Sequence, residues 1–141
     1  MKVVIDTNVM LSAFSRKSNL NWIFRSLVNA KLELCVTTEI LLEYAEIFEE
    51  RTNANISEMA IRDILNFPIL HKVDLYFKWL LIKADPDDNK FVDCAIASSA
   101  DYIVTNDHHF DILKTIPFPS VKVINVNEFK EIFEKLYPLN L

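Results

Sequence analysis

The chain has no glycine in 141 residues. Glycine supplies the positive-φ turns and the close backbone approach that phosphate-binding loops need. Its absence excludes the G-x-G-x-x-G dinucleotide fingerprint and the Walker A loop. It also excludes the glycine-flanked serine of a nucleophile elbow. Phosphate chemistry here must fall to side chains, a metal or helix N-termini. Cysteine is scarce as well: Cys35 and Cys94 stand far apart in apolar stretches. No CxxC is present, so neither a zinc ribbon nor a dithiol site is expected. Two buried free thiols fit a reducing compartment. Long hydrophobic runs are also missing. Only Val3, Val4 and Ile5 separate Met1-Lys2 from Asp6, too few for the apolar segment of a signal peptide. No run approaches the ~20 residues that would span a bilayer. A cytoplasmic chain with no membrane partner is the expectation. Finally, basic charge is not in excess. There are 15 Lys and Arg against 20 Asp and Glu, a net charge of −5, which does not suggest a basic nucleic-acid-binding domain.

Core material, by contrast, is plentiful. Hydrophobic residues make up 51% of the chain, and there are ten Phe. That excludes disorder as the main state. The length is that of one domain, and no repeat or linker divides 1–141.

Val3-Val4-Ile5 is a β-branched run without alternation, which reads as a strand covered on both faces. Further strands are expected at Leu34-Cys35-Val36, in the first part of Val73–Ala84, at Tyr102-Ile103-Val104 and over Val121–Val126. Helices are expected from Leu20 to Ala30, from Thr38 to Glu50 (with Thr37 as the alternative cap), from Ser57 to Phe67, and from Pro86 to Ser99. A helical turn is expected over Phe110–Leu113, and a last helix capped by Asn127. Strands alternating with helices, some of them continuously apolar, are the pattern of an α/β fold with a parallel sheet.

In open parallel sheets, sites form beyond the carboxyl ends of the strands. Asp6 directly follows Val3-Val4-Ile5, accompanied by Thr7 and Asn8. Asp107 follows Tyr102-Ile103-Val104, accompanied by Thr105 and Asn106. Asp and Asn are also common at strand ends for turn and cap reasons, so either acid alone is weak evidence. Two such acids after two buried strands point to a shared rim. Asp93 is the one ionisable residue in an otherwise uncharged helical stretch from Phe91 to Ala100, and an unpaired buried charge there requires compensation. Periodicity does not separate Glu43 from Glu39, Glu46 and Glu50. Asp85, Asp87 and Asp88 form another acidic group, most simply capping a helix beside Pro86. His108-His109 reads equally as an assistant at the rim or as a solvent-facing pair. Converging carboxylates repel one another. Divalent cations relieve that repulsion, and oxygen-only ligands favour Mg²⁺ or Mn²⁺ over zinc. Such a site activates water and stabilises the leaving oxygen of a phosphodiester. Setting aside four site acids leaves 16 acidic against 15 basic residues, so a nucleic-acid substrate is compatible with the net charge. Arg16, Lys17, Lys90 and Lys114 lie near the rim in sequence.

Three segments resemble a known family. They are Val3-Val4-Ile5-Asp6-Thr7-Asn8-Val9, the stretch from Asp85-Pro86-Asp87-Asp88-Asn89-Lys90 through Ala95, and Asp101-Tyr102-Ile103-Val104-Thr105-Asn106-Asp107. Together they look like a PIN domain, and most like the prokaryotic, VapC-like branch of toxin components from toxin–antitoxin pairs. The resemblance covers essentially the whole chain. It implies a Rossmann-like three-layer fold, with a central parallel sheet flanked by helices. It also implies a ribonuclease that uses Mg²⁺ or Mn²⁺ and leaves a 5′-phosphate and a 3′-hydroxyl. By this resemblance Asp6, Glu43, Asp93 and Asp107 are the four catalytic acids. Asp88 is an additional acid that binds metal directly or through water, with the register between Asp88 and Asp93 open. Asn8 and Thr105 support the acids through hydrogen bonds, as Thr7 and Asn106 are placed to do. Implied partners are an RNA substrate, a cognate antitoxin whose chain blocks the site, and a second copy in a homodimer. One departure is that His109 stands before Phe110, where the VapC branch usually carries an acid.

Three other readings compete. A haloacid-dehalogenase-like phosphatase needs Asp-x-Asp after the first strand, but Asn8 occupies the second position. A non-catalytic PIN-like module that binds RNA or protein would not need all four acids. A receiver domain lacks its paired acids after the first strand.

Overall fold

A computed structural model describes residues 1–138 of the chain. These residues form five strands, β1 (Lys2–Ile5), β2 (Glu33–Val36), β3 (Leu70–Lys72), β4 (Tyr102–Val104) and β5 (Val123–Ile124). They also form six α-helices, α1 (Thr7–Phe14), α2 (Asn21–Val28), α3 (Thr38–Arg51), α4 (Ala54–Leu65), α5 (Asn89–Ser98) and α6 (Val126–Leu136). The strands make one sheet in the order β3-β2-β1-β4-β5, and every neighbouring pair is parallel. The expected α/β architecture is therefore present, with helices flanking the sheet. Val3, Val4, Ile5, Leu34, Cys35, Val36, Ile103 and Val104 are all fully buried, which is why their runs lack alternation. Both cysteines are buried free thiols. Among the described residues no helix is long and apolar enough to cross a membrane.

The helix starts are set by side-chain caps. Thr37, not Thr38, caps α3: it is the last extended residue after β2, and its hydroxyl accepts from Ile40 N at 3.2 Å. Asn125, not Asn127, caps α6, because Glu128 lies three residues on and returns the bond in a capping box. That earlier start ends β5 at Ile124. Asn53 caps α4, which therefore begins three residues before Ser57.

The segment from Val73 to Ala84 contains no strand. Its expected strand lies earlier, at Leu70–Lys72, paired with Leu34–Val36. The last ladder bond runs from Val73 N to Val36 O at 2.9 Å. Since β2 ends at Val36, a longer strand would have nothing to pair with.

Without glycine, other residues occupy left-handed backbone positions: Ala30, Leu80 and Ser99 have φ of 60°, 54° and 55°. Ser99 is the C-cap of α5, a position where glycine carries no Cβ penalty. Ser99→Gly and Ala30→Gly are each expected to stabilise the protein by about 0.5–1 kcal/mol, the Cβ relief being partly offset by a more flexible unfolded chain. A rise in the urea midpoint without a change in m would register the gain.

Candidate active site

The sheet order reverses direction between β1 and β4, and a crevice opens there beyond the strand ends. Ile5 is in register with Val104. Asp6 N extends the ladder by donating to Val104 O at 3.0 Å, which sets Asp6 beside Thr105. Thr105 Oγ1 donates to Asp6 Oδ2 at 2.7 Å and accepts from Asp107 N at 3.0 Å. Thr7 N, at the start of α1, donates to Asp6 Oδ1 at 2.8 Å. One threonine thus fixes both strand-end acids, while a helix N-terminus holds the first. The Tyr44 hydroxyl, fully buried, donates to Ile5 O and ties α3 to the end of β1.

Two further acids enter from helices. Asp88 ends a 3-10 turn (Pro86–Asp88) that leads into α5. Its Oδ2 is buried and has no hydrogen-bond partner. Burial first, then the charges of Asp85, Asp107 and Asp6, push the Asp88 carboxyl up to about 7, against a smaller opposing effect of His109. Asp6 is also raised, chiefly by burial, with Thr105 and Thr7 pulling the other way and Asp107 and Glu43 adding to the rise. Glu43, from α3, accepts from the Thr7 hydroxyl through one oxygen and from Lys90 Nζ at 2.7 Å through the other. Lys90 also reaches Asp87 at 3.0 Å. Burial alone would depress the Lys90 ammonium, but its bonds to Glu43 and Asp87 outweigh that and hold it above its usual range.

The structure therefore brings Asp6, Glu43, Asp88, Asp107, Thr7 and Thr105 together. Asn8 and Asn106 line a cleft of about 300 Å³ shared with Asp6 and Asp107. The Asn106 side chain, however, accepts from Val126 N at 3.3 Å, at the start of α6, and not from a donor on the acids. Asp93 does not join the group. It lies five residues past Asp88, a net rotation of roughly 140° around the helix. Its Oδ1 accepts from Trp79 N at 3.1 Å. Burial raises it, with Lys78 and Glu39 as its charged neighbours. The compensation that a buried charge requires is here a backbone amide.

From sequence, Asp85 has only a capping role, and His109 stays open between an assistant at the rim and a solvent-facing residue. Asp85, Asp88 and His109 each offer a ligand atom, and these atoms lie within 4.8 Å of one another. His109 Nδ1 is 3.4 Å from Asp107 Oδ1, 3.7 Å from Asp88 Oδ2 and 4.0 Å from Asp85 Oδ2. The available signal was the histidine standing where an acid usually precedes the phenylalanine. The unpartnered buried oxygen, the mutual repulsion of Asp6, Asp88 and Asp107, and an oxygen-rich donor set with one imidazole all fit a divalent cation.

Among solved structures, the chain is similar to the VapBC2 complex from Rickettsia felis bound to a DNA fragment from its promoter. The identity is 15% over 89% of this chain and 98% of that one, with a TM-score of 0.62. It is also similar to the PIN domain endonuclease Utp24, at 18% identity over 89% and 84% of the two chains, with a TM-score of 0.52. At these identities the likeness is one of fold. No curated protein sequence matches. The sequence model of the PIN domain, in contrast, matches residues 2–109, a span that includes Asp6, Glu43, Asp88, Asp107 and His109; the chain belongs to the PIN domain family.

Proposed function

We propose that this PIN domain is an Mg²⁺- or Mn²⁺-dependent endoribonuclease and the toxin component of a toxin–antitoxin pair. The observation that carries the reading is the meeting of Asp6, Asp88 and Asp107 at the sheet's switch point, with the Asp88 Oδ2 buried and unpartnered. In this reading Asp6, Asp88 and Asp107 hold the cation, with Glu43 beside them. Asp88 takes the third acid position in place of Asp93. A bound divalent ion supplies an activated water and neutralises the leaving oxygen of a phosphodiester.

The protein's own groups prepare that site. Thr105 and the Thr7 amide orient Asp6, so its oxygens keep one arrangement. Lys90 and the Thr7 hydroxyl occupy both oxygens of Glu43, which makes Glu43 a fixed, hydrogen-bonded charge. Asn8, exposed on the cleft beside Asp6, is available to a substrate. No residue acts as a covalent nucleophile.

The likeness to a VapBC2 complex supports an antitoxin partner that covers the site, and the likeness to an endonuclease supports internal cleavage. By family resemblance the active species is a cytoplasmic homodimer of one-domain chains acting on RNA. The test is cleavage of end-labelled single-stranded RNA with Mn²⁺ or Mg²⁺, against an EDTA control and a DNA strand of the same sequence. Metal-dependent cutting of RNA alone is expected. Metal binding without any cutting would leave the non-catalytic binding module.

A further inference from the structure

His109 opens the 3-10 helix that follows Asp107, and its backbone N donates to Asp107 Oδ1 at 2.9 Å. That bond anchors the ring at the crevice. Its Nδ1 faces three carboxylates at 3.4, 3.7 and 4.0 Å. These separations are too long for good hydrogen bonds. They are close to the roughly 3–4 Å between ligand atoms arranged around one ion with bonds near 2.1 Å. One of the three oxygens, Asp88 Oδ2, is the buried atom without a partner. The other histidines are engaged elsewhere: His71 with Glu33 at 2.8 Å, and His108, almost fully exposed, with Asp111 at 3.3 Å.

We propose that His109 is a metal ligand. With Asp85 and Asp88 it forms an outer cation position that shares Asp88 with the inner position at Asp6 and Asp107, and its nitrogen makes the outer position prefer Mn²⁺ to Mg²⁺. The preference follows from donor chemistry. Imidazole suits transition ions, whereas Mg²⁺ takes oxygen ligands and gives up its waters reluctantly. The competing account makes His109 an imidazolium that neutralises the acids itself and leaves the metal with oxygen ligands only. The proposal deepens the metal-centre reading above, but does not require RNA cleavage.

The discriminating measurement is pulsed electron paramagnetic resonance on the full chain loaded with Mn²⁺, together with titration calorimetry for Mn²⁺ and Mg²⁺. Nitrogen modulation of the Mn²⁺ signal is expected in the wild type, retained in His108→Ala and lost in His109→Ala. The Mn²⁺-over-Mg²⁺ affinity ratio is expected to fall by about tenfold or more in His109→Asp. His109 is half exposed, and an unchanged metal-free melting midpoint confirms that the variants fold. A wild type that binds no Mn²⁺ overturns the proposal. So does a signal without nitrogen modulation, modulation that survives in His109→Ala, or an unchanged affinity ratio. Nitrogen ligation without RNA cleavage would sink the nuclease reading alone, and Mg²⁺-supported cleavage without nitrogen ligation would sink this inference alone.

Discussion

Asp6→Asn is expected to reduce metal-dependent RNA cleavage by about a thousandfold or more, equivalent to roughly 4 kcal/mol of transition-state stabilisation. The substitution keeps size and shape, so the loss would be chemical. Asn retains an oxygen that can accept from Thr7 N, as Asp6 Oδ1 does now. Its amide nitrogen, however, would face Thr105 Oγ1, which already accepts from Asp107 N and needs an acceptor for its own hydrogen. A modest stability loss of about 1 kcal/mol is therefore expected beside the catalytic one. Single-turnover cleavage of labelled RNA with saturating Mn²⁺ reads the first effect, and chemical denaturation reads the second. Cleavage within tenfold of wild type would remove Asp6 from the site.

Asp88→Asn should stabilise the metal-free protein, and the gain should depend on pH. In the unfolded chain Asp88 ionises near 3.8, and in the folded protein near 7. Between those values the native state holds more protons than the unfolded state, so the contribution of Asp88 to stability falls as pH rises through that window. Each tenfold change in proton affinity is worth about 1.4 kcal/mol, and water entering the crevice reduces the sum. A gain of roughly 2 kcal/mol is expected at pH 8 in EDTA, shrinking towards zero near pH 4. Saturating Mn²⁺ should reverse the ranking, because the wild type binds the ion and gains from it by mass action. Urea denaturation of both proteins at pH 4, 6 and 8, with and without Mn²⁺, would display this pattern. A constant difference between the proteins at all pH values would contradict the crowded-carboxylate account.

The fold and the rim were largely legible because the signals were local and periodic. Three buried apolar runs gave β1, β2 and β4, and the acids after two of them fall at one switch point. Asp93 stands apart from the rim acids: an isolated charge on an apolar helix demands a partner without saying which. The partner is the amide of Trp79, far from any pattern in the sequence. Periodicity could not separate Glu43 from its neighbouring glutamates, and only the family resemblance picked it out, since its distinction lies in meeting Thr7 and Lys90 from other elements. The role of His109 stayed open for the same reason: its three carboxylate neighbours come from two separate turns. The segment after Lys72 read as a strand because apolar residues fill it, but strand formation also needs a free partner edge, and β2 had already ended.

That segment has a further consequence for dynamics. Between Val73 and Ala84 the backbone is held by side chains from α5. Trp79 N donates to Asp93 Oδ1, and Ile82 both donates to and accepts from the Asn89 amide at 2.8 Å. Asn89 thus acts as a surrogate strand for one residue, and Asp93 as a mooring for another. In amide exchange, Trp79 and Ile82 would stand out as slow positions within a fast-exchanging stretch. Both moorings belong to the helix that begins directly after Asp88. Any opening of the segment that frees them would therefore be felt at the base of Asp88, so that the order of a strandless loop and the poise of the carboxylate crevice rise and fall together.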